Sequence, residues 1–196
     1  MNKKLFILLL VTGFTCGICR GQQAIDADEL SGYHLKTNLL YDAMATLNLG
    51  FEFGLNEKTS IDVSGSLNPF TFSNNRKWKH FLIQPEYRIW ATERYNGWFY
   101  GAHAHYAFYN AGNLPKPFSS HMRSHRFRGW ALGAGVVGGY RYAFDRHWSM
   151  EAALGLGYAY FDYERFACAK CGESEGYGHK NYIGPTKVGL SLVYAF

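Results

Sequence analysis

Cys168 and Cys171 form a Cys-x-x-Cys pair with His179 a few residues downstream, the arrangement most open to chemistry in this chain. A closed zinc site takes four ligands and this group offers three. No βαβ pattern surrounds the pair to support a thioredoxin-type redox centre. In an exported chain such a pair oxidises into a tight loop clip, so a disulfide is the leading reading, with free thiols and a metal or redox role as alternatives. His103 and His105 share one face of a strand and would serve either as an acid/base pair or as members of a polar network. Ser119, Ser120, His121 and His125 offer hydroxyl and imidazole in one loop, but at no diagnostic spacing. No catalytic residue, cofactor or metal site is expected.

A second constellation is ionic. Lys36, Arg88, Arg141 and Lys187 fall on the same side of the strands as Glu52, Asp62, Glu86 and Glu151, four bases against four acids. Charges confined to a narrow interior must be paired, because an unpaired buried ion costs several kcal/mol. The expectation is an ion-paired filling that holds the interior shut, with a charged pore as the alternative reading. A third group, Lys116, Arg123, Arg126 and Arg128, lies with His121 and His125 in one stretch without an acid, and Arg76, Lys77 and Lys79 repeat the theme upstream. Such a basic rim suits charge-assisted bonds to lipid phosphates.

The elements that must position these groups are strands, read from alternation. Leu47, Leu49, Phe51, Phe53 and Leu55 alternate with Asn48, Gly50, Glu52 and Gly54. The same period continues through Ile61, Val63 and Leu67, through Phe81, Ile83, Tyr87 and Ile89, and through Trp98, Tyr100, Tyr106 and Phe108. It recurs at Trp130, Leu132, Val136, Tyr140 and Tyr142, at Met150, Leu154, Leu156 and Tyr158, and at Val188, Leu190, Leu192, Tyr194 and Phe196. Residues 35–43 make a weaker first strand, for a total of eight. Short turns near Asn56, Glu93 and Asp145 alternate with long connections after Asn68, Asn110 and Ala167. Short turns at one end and long loops at the other mark membrane barrels. A soluble eight-stranded barrel would also alternate, but the less apolar face of 129–143 and 149–159 is nearly all Gly and Ala. A wet surface has no need of such small residues, whereas a filled, narrow interior does. The predicted fold is all-β, an eight-stranded antiparallel up-and-down transmembrane β-barrel.

Composition agrees. Aromatic residues reach 18% and glycines number 22, yet mean hydropathy is −0.23, as expected when every second strand residue is free to be polar or small. The start, Lys3 and Lys4 before an apolar run from Leu5 and small residues up to Gly21, reads as a signal peptide over residues 1–21. Removing it takes three of the 20 bases, leaving 17 against 15 acids, so the basic pI is no argument for nucleic acid. Residues 22–33 then form a periplasmic segment and 34–196 the barrel, integral to a bacterial outer membrane.

Lys36-Thr-Asn-Leu-Leu-Tyr41, Asn68-Pro-Phe-Thr-Phe72, Gln84-Pro-Glu86, Gly101-Ala-His-Ala-His105, Cys168-Ala-Lys-Cys-Gly172 and His179-Lys-Asn-Tyr-Ile-Gly-Pro-Thr-Lys187 together resemble an uncharacterised family of small outer-membrane barrels from gut and oral anaerobes. The resemblance covers nearly all of the mature chain. It implies an outer-membrane location and an association with fimbrial or surface-adhesin genes, and it carries no catalytic residues. The terminal Phe196 resembles the aromatic end of outer-membrane barrels in general. The expected function is a non-enzymatic barrel, structural or anchoring for surface structures such as fimbriae. The alternatives are an outer-membrane lipid-modifying enzyme and a small pore. Expected partners are outer-membrane lipid and lipopolysaccharide, together with a surface or fimbrial protein, and no nucleic acid.

Overall fold

The computed structural model describes residues 32–72, 76–113, 125–167 and 172–196. Nine antiparallel strands form one sheet: β1 (Tyr33–Asn38), β2 (Leu47–Asn56), β3 (Thr59–Asn68), β4 (Thr71–Phe72), β5 (Arg76–Trp90), β6 (Gly97–Gly112), β7 (Arg126–Ala143), β8 (Trp148–Phe166) and β9 (Ser174–Ala195). Neighbours in sequence pair, β1 pairs β9, and β3 also pairs β5, so the sheet closes on itself in a ring. The circuit bypasses β4, a two-residue strand laid against the start of β5. The strand count is therefore nine rather than eight, because Asn68 and the Pro69 after it end β3 before the chain folds back onto β5.

The tight turns are built by side chains. Asn56 Oδ1 accepts from Lys58 N at 3.0 Å, and Asp145 Oδ1 accepts from His147 N and Trp148 N at 2.8 and 2.9 Å, the local bonding that makes Asn and Asp turn residues. Between β5 and β6 the chain turns with Tyr95 at φ +72° and Gly97 at +87°.

The predicted first strand is half right. Residues 39–43 form a one-turn helix, α1 (Leu39–Ala43), instead of extended chain. Asn38 stops the strand: its side chain accepts from Leu40 N, and the same amide bonds Val188 O and Leu190 N of β9. Asn48 supports the helix from outside by donating to Asp42 at 2.7 Å. Strand propensity in Leu39–Tyr41 loses to this capping network, and α1 packs against β9 above the end of β1.

Alternation dictates the faces, and the distribution is inverted relative to a soluble domain. Val136, Trp98, Leu49 and Leu154 point outward at 66%, 67%, 60% and 55% exposure, whereas Glu52, Asp62, Arg88 and Arg141 point inward and are wholly buried. One register row runs His34–Glu52–Asp62–Glu86–His103–Gly135–Gly157–Gly184. The same His34 pairs Ala195 on β9, eleven residues from Gly184, or ten once the bulged residue Thr186 is discounted. A stagger of that size over the ring's circuit requires strands tilted by roughly 40°. The bulge also inverts the inward parity of β9, so that Lys187 and Tyr182 both face the interior.

Candidate functional site

Glu52, Asp62 and Glu86 are consecutive in that row on β2, β3 and β5, and like charges directly opposite destabilise a sheet. The ring brings cations from the other strands to meet them. Lys36 of β1 pairs with Asp62, lies 3.4 Å from Glu52 and 3.6 Å from Glu151. Arg88 of β5 reaches Glu86 at 2.6 Å, Glu151 at 2.8 Å, Glu52 at 3.2 Å and Asp62 at 3.7 Å. Arg141 of β7 pairs with both Glu52 and Glu151, which meets it from β8. Lys187 of β9 closes the set on Glu86 at 2.5 Å. All eight residues singled out by alternation thus stand in one connected network, drawn from seven strands.

Below the network the interior is sealed. Trp90, Tyr95, Phe99, Val137 and Ala153 form a buried cluster, with the His34 ring 3.9 Å from the Tyr95 ring and tilted to it by 49°. Arg88 lies over Phe99 at 4.4 Å and Arg141 over Trp90 at 5.0 Å, so the guanidinium faces cap the aromatic floor while their edges serve the carboxylates. Trp90 Nε1 donates to Ser60 Oγ, which donates to Glu52 at 2.7 Å, tying floor to network. Tyr95, in the turn, donates to Gly32 O, and burial pushes its phenol up to about 12. These floor residues were absent from the sequence reading. Trp90 shares the parity of Glu86 and Arg88, which was the signal available; Tyr95 lies in a turn and gave none.

Above the network stand the two histidines. His103 Nε2 bonds Thr186 Oγ1 at 2.9 Å, and the Nδ1 atoms of His103 and His105 are buried without a partner among the described residues. Glycines make room for them: a Cβ at Gly133 would lie 2.5 Å from His105 Nε2, and one at Gly155 would lie 2.9 Å from His103 Cε1. A cavity of about 40 Å³ is lined by Lys36, Ser66, Gln84, Glu151 and Lys187, room for a few waters, and Ser66 Oγ and Gln84 Nε2 have no partner among the described residues. The interior is therefore closed at the end of the short turns and polar toward the other.

The arrangement binds charge to charge. Each carboxylate of the network is neutralised by Arg or Lys, which disfavours a base or nucleophile role. Among the described residues no three of His, Cys, Asp and Glu stand together to hold a metal. Cys168, Cys171, Lys116 and Arg123 lie outside the described residues, as do Ser119, Ser120, His121 and the segment 1–21. Arg126 and Arg128 lie at the start of β7, on its outward face; Arg126 stacks over Phe166 at 4.0 Å. They are separated from the ion network by most of the strand's length.

The chain belongs to a family of proteins of unknown function, DUF3575, which it matches over residues 5–196. No curated protein and no solved structure matches it.

Proposed function

We propose that this chain is a non-enzymatic β-barrel integral to a bacterial outer membrane, its interior plugged by ions, acting as a structural element or anchor for surface structures such as fimbriae. The observation that carries the reading is the inverted surface. Large apolar side chains are exposed all round the ring while seven charges are buried inside it, with Lys187 partly buried beside them, a distribution that water penalises and lipid rewards. Outward residues are aromatic at two levels: Phe81, Phe108, Trp130 and Tyr160 toward the long-loop end, and Trp98, Tyr142, Phe144, Trp148 and Tyr194 toward the short turns. Along β7, Trp130 to Tyr142 is twelve positions, about 40 Å of strand, or about 30 Å of height at a 40° tilt. A bilayer's apolar core is about as thick. β5 to β9 run 15 to 22 residues, more than the 9–11 or so that crossing needs, and the surplus forms a wall beyond the upper aromatic level. That wall is the surface we assign to an anchoring role, in contact with outer-membrane lipid, lipopolysaccharide and a surface or fimbrial protein.

The experiment is fractionation of cells making the full chain, followed by gels of boiled and unboiled samples. The expected result is recovery with the outer membrane and faster migration when unboiled, because a closed sheet resists detergent. Recovery as a soluble periplasmic protein would refute the proposal.

A further inference from the structure

On the outward face of β5, β6 and β7, directly above the row Phe81–Phe108–Trp130, the next row is Lys79–Asn110–Arg128, and the one above it is Lys77–Gly112–Arg126. Four bases thus straddle β6 two by two, with an amide and a glycine between them. No acid stands among the outward residues of these three strands in those rows. Lys79 and Arg128 are two strand spacings apart, roughly 10 Å between backbones, and lean on an intervening residue that offers an amide rather than a counter-charge. The acids begin one strand further on: Asp162 and Glu164 of β8 line the far side of the same open groove, about 750 Å³, which also takes in Phe81, Phe108 and Trp130 and, from the inward parity, Asn68, His80 and Tyr109. Glu164 lies opposite Arg128 in register, yet the two form no ion pair among the described residues.

We propose that this groove binds the phosphate of a lipid in the surrounding leaflet, an inference that rests on the membrane reading above. Lys79, Asn110 and Arg128 supply charge-assisted and amide bonds to the phosphate. Asp162 and Glu164 accept from hydroxyl or ammonium donors on the same headgroup, and the aromatic row below takes the start of the acyl chains. Charge and level both fit a lipid: like charges crowd in two adjacent rows, and those rows lie immediately beyond the aromatic row, where headgroups lie in a bilayer. A free anion would need only the bases, whereas a lipid also uses the apolar surface that the adjoining aromatic row offers its chains.

The test uses the full mature chain in phosphatidylcholine nanodiscs doped with a phosphorylated glucosamine-disaccharide lipid, or with the same lipid after phosphatase treatment, binding being read by native mass spectrometry. The expected result is tighter binding of the phosphorylated lipid, weakened at least tenfold in Lys79→Ala/Arg128→Ala and also weakened in Asn110→Asp, which adds an acid at the centre. Lys58→Ala, in the turn at the opposite end, should bind as the parent does. Equal binding of the dephosphorylated lipid, or an unaffected double variant, would overturn the proposal. Displacement by inorganic phosphate at the lipid's own concentration would make this a free-anion site and overturn the lipid assignment. Failure of the chain to enter nanodiscs or to shift on unboiled gels would instead refute the membrane reading.

Discussion

Glu86 is the member of the ion network whose removal has the most readable consequence. It accepts from Arg88 Nε at 2.6 Å and from Lys187 Nζ at 2.5 Å. In Glu86→Ala, Arg88 keeps Glu52 and Glu151, but Lys187 loses the only ion pair it has among the described residues. Two hydrogen bonds to charged groups disappear, each worth about 1.5–3 kcal/mol, and four interior bases, Lys187 partly buried among them, then face three acids. Arg88 recovers part of the loss through its remaining partners, so the expected cost is about 3 kcal/mol, at the low end for breaking a buried pair. Lys187→Ala should cost less, because Glu86 retains Arg88. The double variant restores the balance of charge, and it should be no less stable than Glu86→Ala alone, a coupling of at least about 1 kcal/mol. The assay is urea unfolding of the refolded chain in vesicles or detergent, with conversion on unboiled gels as the second readout. Strictly additive losses, or single variants within about 0.5 kcal/mol of the parent, would refute the network argument. In planar bilayers the unmutated chain and Glu86→Ala should both fail to conduct, since the floor of Trp90, Tyr95 and Phe99 is untouched. Steady single-channel currents from the parent would favour a pore.

Gly155→Ala should destabilise by about 1–3 kcal/mol, because its Cβ would lie 2.9 Å from both His103 Cε1 and Lys187 Cβ; adding His103→Ala should recover part of the loss, and no recovery in an unfolding titration would show that the histidine is not what the glycine accommodates. Tyr95 is a weak acid whose folded pKa is raised from 10 to about 12, so its contribution is fully present below pH 10 and is lost as pH rises toward 12; Tyr95→Phe should flatten that alkaline limb, with tyrosinate absorbance as the check. Asp145 runs the other way: bonds from the His147 and Trp148 N–H groups hold its carboxyl below the usual range, so its contribution is present above the ordinary carboxylate pKa and fades as pH falls through the folded one, and Asp145→Ala should remove that acid dependence. Cys168 and Cys171 should be joined in material purified with thiols trapped; mass spectra with both alkylated before reduction would reject the disulfide, and stoichiometric zinc would indicate the metal reading.

Which residues share a face is a local property. It follows from the period-2 geometry of extended chain, and the eight interior charges were legible for that reason: each sits at the polar parity of an alternation, strong for Glu52 between Phe51 and Phe53 and weaker for Lys36 in the first strand. Turn chemistry at Asn56 and Asp145 was legible on the same ground, since each side chain bonds its own next neighbours. What reached beyond a few residues was decided by closure of the ring. Whether Arg141 meets Glu52 depends on joining β7 to β2 across the interior, which no window of sequence contains. The stagger of ten residues, and with it the height of every outward side chain, is a sum over all the pairings. The bulge at Thr186 exists only because β9 must stay in register with β8, and it carries Thr186 to His103. Residues 39–43 read as strand by composition and became helix because Asn38 found partners 150 and more positions away on β9. Alternation determines what faces inward; the non-local pairing of strands decides what each inward group touches.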